Sequence, residues 1–267
     1  MKIPRGNHQQ LIGSCFGNYI CGVIIHAFKS YRFFFPLVFL QGAVLLSLVG
    51  CSEISLWGSQ SECKIVYDIT YPSAQSSLVA KQLYPQEMVV YYKGDKMKTE
   101  ISSPLGLMAT ELFINHEDRT LSQTLKNISS YQCIKLSPEE TENWCKLLPQ
   151  YEIKQRIDLR RICNKECRHA TIKDLSNSKE FEVFYMEESG LAENNWWNPM
   201  NKITGVMMSY DIEQMGMHMH LEAREIIHEK IPDEIFTVKP EYKEISADSM
   251  RAILEKLVRD YGPAQAR

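Results

Sequence analysis

Between Cys63 and Glu229, apolar and polar side chains alternate with period two in one short segment after another, each closed by turn residues. Alternation of this kind limits the chain to a fold built on β-sheet with one face buried. The first segments are 63–71, 87–94, 96–102, 107–116, 119–126 and 131–136, with turns at Gly94-Asp95 and Glu117-Asp118. They predict a meander.

One helix interrupts it. Ser137 is placed as N-cap, Pro138 at the first helical position and Glu140 as the partner of a capping box, with the helix running to about Leu148 and presenting Thr141, Trp144 and Leu148 on one side. A long strand is expected over 151–163, with Tyr151, Ile153, Ile157 and Leu159 facing the core and Glu152, Lys154, Arg156, Asp158 and Arg160 facing water. Strands at 167–174, 180–187, 203–213 and 217–229 follow, then an amphipathic helix over 247–261. The pattern gives about ten antiparallel strands and few helices, a mainly β chain of the α+β class arranged as a barrel or a strongly curved sheet.

The first 50 residues differ from the rest. They hold four of the 30 basic residues (Lys2, Arg5, Lys29, Arg32) and none of the 33 acidic ones, and end in the uncharged run Phe33–Gly50. This reads as a targeting segment. Leu48-Val49-Gly50-Cys51 at its end resembles the bacterial lipobox, in which the cysteine is diacylated and becomes the new N-terminus. Attachment would be by lipid, without spanning the membrane. Residues 1–28 exceed an ordinary n-region, so translation is expected to start elsewhere, for example at Val23. Ser52, in place of an aspartate, points to the outer membrane by the usual sorting rule. The expected organisation is a signal segment (1–50), a lipidated tether (51–62), a β domain (63–245) and a C-terminal helix and tail (246–267).

Beyond Gly50 acids outnumber bases by seven, which gives no electrostatic case for nucleic acid. Five cysteines follow the anchor: Cys63, Cys133, Cys145, Cys163 and Cys167. In an oxidising compartment the spacing allows Cys163–Cys167 and Cys133–Cys145 disulfides, with one thiol left over. Zinc is the competing reading, but a CxxxC without a second close pair is a poor match.

Three stretches resemble a family of Gram-negative envelope lipoproteins of unknown function, related to the GLPGLI-type proteins and to the lipoprotein-carrier fold. They are RRICNKECRHATI (160–172), with Ile162, Cys167 and Ala170 at motif positions and Asn164 in place of a glycine; the hairpin 201–226; and IPDEIFTVKPEYKEI (231–245). Cys163 and Lys165 depart from the pattern, and the helix after Ser246 has no counterpart in it. The resemblance implies a strongly curved antiparallel half-barrel with helix on the concave face. In carrier relatives that face holds acyl chains, so the expected partners are the membrane, through the lipid, and an apolar ligand or an envelope protein. Fold alone assigns no function.

No HExxH, GxSxG or P-loop pattern occurs, and the chain reads as a non-enzyme without a cofactor. His116, beside a turn, is expected to be solvated. A Cys167–His169 dyad lacks an evident third group. In 217–224, Met217, Met219, Leu221 and Ala223 share one face, and His218, His220, Glu222 and Arg224 share the other. Sulfur and imidazole therefore cannot converge on one ion, and only His218 with His220 remains as a weak copper or zinc candidate. The methionines, with Met207 or Met208, are expected to line a core or an apolar cavity. Trp144, Trp196 and Trp197 join that set, the last two from a loop plugging the mouth of the sheet. A third reading makes the protein a structural subunit of an envelope complex, with the apolar stripe of helix 247–261 exposed. Asn127-Ile128-Ser129 matches a glycosylation sequon that a bacterial lipoprotein has no use for.

Overall fold

The computed structural model describes residues 62–72, 84–106, 108–187, 195–214 and 217–261. Leu48, Val49, Gly50 and Cys51, with the tether up to Ser61, lie outside the described residues. The chain divides into two compact units, 1–54 and 55–267, and every described residue belongs to the second.

Two meanders form this unit. The first comprises β1 (Glu62–Thr70), β2 (Glu87–Lys93), β3 (Lys96–Ser102), β4 (Met108–Asn115), β5 (Thr120–Asn127) and β6 (Ser130–Leu136). Helix α1 (Pro138–Lys146) connects it to β7 (Tyr151–Ile162), β8 (Lys165–Asp174), β9 (Glu180–Met186), β10 (Val206–Gln214) and β11 (Met217–Ile227). The strand β12 (Lys243–Glu244) and helix α2 (Ala247–Tyr261) close the chain. All belong to one open sheet in the order β12-β6-β5-β4-β3-β2-β1-β11-β10-β9-β8-β7. Neighbours are antiparallel except β12, which runs parallel to β6. The described residues are therefore mostly β with two α-helices; the strands are those the alternation predicted, and the short parallel strand is an addition.

Why the meanders form is local chemistry. Gly94 turns β2 into β3 at φ 53°, and Cys163 and Asn164, at φ 51° and 61°, make the two-residue turn between β7 and β8. Both dihedrals positive is the geometry that matches strand twist. At α1 the capping box is complete: Glu140 N–H donates to Ser137 Oγ (3.3 Å) and Ser137 N–H to Glu140 Oε2 (2.8 Å). These bonds hold the Glu140 carboxyl below its ordinary range.

β1 and β11 join the meanders. Tyr67 pairs with Ala223 and Ile69 with Leu221, so the apolar face of β1 continues into that of β11. The core runs along this face through Ile65, Val90, Ile134, Ile172, Val183, Met208 and Leu221. Met250 of α2 is buried in the same core, with Ile253, Leu254 and Leu257 packed against it. The stripe expected to be exposed in a structural subunit is thus turned onto the sheet, and α2 belongs to the β unit.

The sheet is bent at the β7–β8 hairpin, and a loop contact also draws β10 toward β4. Strands sit about 4.8 Å apart, so β10 and β4, five spacings from each other, would be about 24 Å apart in a flat sheet. Yet Trp196, in the β9–β10 connection, donates through Nε1 to His116 Nδ1 beyond β4 at 2.9 Å. The β7–β8 turn would lie at least about 14 Å from β11 in a flat sheet. Yet the Cys163 thiol donates to Ala223 O at 3.2 Å, and Arg160 grips both Glu222 oxygens at 2.9 Å. The hairpin folds back, and the extra residues between Gln155 and Leu159, where the register with β8 slips, supply the bend.

That bend corrects the expectation for β7. Ile157 is 101% exposed and Leu159 57%, where alternation placed both in the core. Alternation describes a straight strand, and this one is bulged at its centre.

The disulfide expectation also fails: Cys163 is not joined to Cys167, nor Cys133 to Cys145. Cys163 is spent on Ala223 O, and Cys167 turns to Lys165 O on its own strand at 3.6 Å. Cys133 points to Tyr242 O at 3.9 Å, under the segment that leads into β12, and away from Cys145 on α1.

Candidate functional site

The apolar face has a filled centre and an open margin. At the centre, Leu221, Met208 and Ile203 have no exposure at all. The register places Ile101 of β3 and Met108 and Leu112 of β4 on the same face as the buried Ile114 and Leu121. These three are only half-buried. Helix α2 makes its sheet contacts at β6, one edge of this region, and its Ile253, Leu254 and Leu257 are half-buried too. Two incompletely covered apolar surfaces therefore flank one stretch of β3–β6. Two amides, Gln123 and Gln132, stand on it, Gln123 donating to Thr110 Oγ1 at 3.4 Å. The Oε1 atom of Gln132 is buried without a hydrogen-bond partner.

The residues expected to line a cavity are distributed as follows. Met219 and Leu221 are in the packed centre; Met207, Trp144, Trp196 and Trp197 are half-buried at its borders. The side chain of Met217 lies outside the described part. Trp196 and Trp197 belong to a loop pinned by the buried Asn195, whose amide donates to Ile203 O and Gly205 O at 2.9 Å each. Arg119 lies over the Trp196 ring at 4.8 Å. His116, expected to be solvated, is instead the acceptor for Trp196. A histidine at a strand end gave no sequence signal for a partner 80 residues away.

Three tyrosine hydroxyls sit within the packed centre. Tyr67 donates to Met207 O at 2.9 Å and meets the Tyr210 ring edge-on at 6.1 Å. Burial raises the phenols of Tyr67, Tyr92 and Tyr210 far above their ordinary range, so they stay neutral hydroxyls.

The opposite, polar face carries the histidines. His218 Nε2 and His220 Nδ1 both meet one oxygen, Asp211 Oδ1, at 3.2 and 3.1 Å. His220 Nε2 stands 3.7 Å from Glu222 Oε2, which also accepts from Ser209 Oγ at 3.3 Å. The imidazoles share a carboxylate, and among the described residues no group of three or more His, Cys, Asp or Glu is arranged to hold a metal ion. Nothing in the spacing of β11 pointed to Asp211, which belongs to the neighbouring strand.

His169 has the third group that its sequence context lacked. Its Nδ1 meets Asp158 Oδ2 at 2.6 Å and its ring lies on Phe184, with centroids 4.5 Å apart. The bulge in β7 brings Asp158 there. Cys167, its partner in the sequence reading, is bonded to backbone instead, and burial pushes its thiol up to about 11. Also unsignalled was Lys98, 5% exposed on the polar face between Glu100 and Glu111 at 2.5 and 2.8 Å, its ammonium 5.2 Å from the Phe113 ring centre. Paired on two sides, it is a structural ion cluster.

No family model matches this chain, and no curated protein does. Among solved structures it is similar to that described as "Structure of PNGF-II in C2 space group", at 14% identity and a TM-score of 0.45. The match covers 73% of this chain and spans 33% of that one.

Proposed function

We propose that this is a lipid-anchored lipoprotein of a Gram-negative envelope that holds an apolar ligand, a lipid or acyl chain, between α2 and the β3–β6 stretch of its sheet. The observation that carries the reading is the half-burial of two apolar sets packed against one core, Ile101, Met108 and Leu112 on the sheet and Ile253, Leu254 and Leu257 on α2. Apolar surface left half-open in water is stabilised by covering it, at roughly 25 cal/mol per Å². Flanking Leu48–Cys51 and the likeness of 160–172, 201–226 and 231–245 to envelope lipoproteins support the anchor and the carrier-type fold. The outer membrane is the proposed address, since Ser52 follows Cys51.

Native mass spectrometry of the protein, purified and then freed of detergent, tests the reading. A bound lipid is the expected result, and Leu254→Arg should abolish it, at some cost in stability because Leu254 also packs against the core. Protein that carries no lipid and takes up no fluorescent fatty acid would sink the ligand. Acyl labelling that survives Cys51→Ala would sink the anchor.

A further inference from the structure

One buried acceptor on the apolar face is left over. Gln132 stands on β6 two positions before the buried Ile134, so both point to the same side of the sheet, and its Oε1 is buried with no hydrogen-bond partner. The register sets Gln132 in one row with Leu125, Thr110 and Ile101, which crosses the half-buried stretch from β6 to β3. Helix α2 lies against the same strand.

The donors of its polar neighbours on this face are directed elsewhere. Gln123 gives its Nε2 to Thr110 Oγ1 at 3.4 Å, Thr110 Oγ1 donates to Thr124 O at 2.8 Å, and Ser130 Oγ donates to Asn127 Oδ1 at 3.0 Å. An acceptor removed from water and left unpaired costs stability, so such an atom in a binding region calls for a donor on the ligand. Charge narrows the class further. The alternate positions that β3–β6 turn to this face, counted from Met97, Met108, Leu121 and Leu136, hold no Lys, Arg, His, Asp or Glu. An ionised headgroup meets no counter-charge there, and a carboxylate has no proton to give. A hydroxyl has one.

We propose that the ligand of this site is an uncharged lipid with a free hydroxyl, of the fatty-alcohol or monoacylglycerol class, whose O–H donates to Gln132 Oε1. The inference rests on the proposed seat of a lipid between α2 and β3–β6, and adds what the head of that lipid must offer. A fatty acid is held there by its chain alone, less tightly than the alcohol of equal length.

The experiment uses the full chain, stripped of bound lipid, and measures displacement of a fluorescent fatty acid by 1-dodecanol and by dodecyl methyl ether. The ether oxygen accepts a hydrogen bond but cannot donate one. Comparing the two competitors within each protein cancels their unequal solubility in water. The preference for the alcohol over the ether should fall about fivefold or more in Gln132→Leu. Without ligand, Gln132→Leu should keep or raise the urea midpoint, because a leucine of similar size removes the unpaired acceptor. A preference that Gln132→Leu leaves unchanged, as when water serves the amide, overturns the proposal, and so does one for the ether, as when the amide nitrogen is the buried atom. A lower urea midpoint also overturns it, by marking Gln132 as a structural hydrogen-bonding residue. In each of these cases uptake of the fatty acid leaves the lipid seat standing, whereas no uptake at all overturns both readings.

Discussion

Each cysteine beyond the tether sits in its own surroundings, and reactivity should follow them. Cys63, Cys133 and Cys167 are buried, whereas Cys145 and Cys163 are half-buried. Burial raises the thiols of Cys133, Cys145, Cys163 and Cys167, that of Cys167 to about 11, so thiolate is scarce near neutral pH. Iodoacetamide at pH 8 with peptide mapping should mark Cys145 and Cys163 first, and the other three only on unfolding. A peptide pair joined through Cys163 and Cys167 would contradict the free thiols. Gly205 offers a second test. Its φ of 122° suits glycine alone, and a Cβ there would collide with the Met186 carbonyl. Gly205→Ala should cost about 2 kcal/mol or more in a urea melt, because the loop holding Trp196 and Trp197 enters β10 through this contact.

Elements were legible wherever their cause is local. α2 was readable to its last residue from helical spacing, β3 from alternation, and α1 from Ser137, Pro138 and Glu140. Ser137→Ala should accordingly cost about 1 kcal/mol, measured by thermal unfolding. Hidden were features whose cause lies far along the chain. The bend of β7 answers to Ala223 and Glu222, some 60 residues away, and β12 exists because Ile245 N–H finds Cys133 O. The β8–β9 turn adds a pH test. Asp174 accepts from Ser176 Oγ and N–H at 2.6 and 2.7 Å and from Asn177 Nδ2 at 3.0 Å, and these bonds hold its carboxyl below the ordinary range. A folded value below the unfolded one gives stability that is full above the ordinary carboxylate range and lost as pH falls through the lowered value. Asp174→Asn should therefore be less stable than the parent at pH 7, with the gap closing below about pH 4.

For the whole molecule, the sequence stated the class of the sheet, expected a barrel or a strongly curved sheet where twelve strands form an open one, and left unsaid what the last helix covers. Met250 illustrates why: helical spacing marks it as apolar, but only the path of 228–246 to β6 decides which face it covers. Met250→Ala should cost about 2–4 kcal/mol, whereas Leu254→Arg, at a half-buried position packed against the core, should cost less in stability and, on the proposed function, more in bound lipid. Urea midpoints beside lipid content by mass spectrometry separate the two. The place of β1 also sets an order of events. It is made first among the twelve strands, yet Asp68 pairs with Glu222, so its second neighbour is made last but one. The hairpins on either side close over short loops, but the seam between them must wait for nearly the whole chain to emerge. During synthesis β1 thus stays unpaired on one side until β11 is made, which makes the docking of the two meanders on that strand the expected late step of folding.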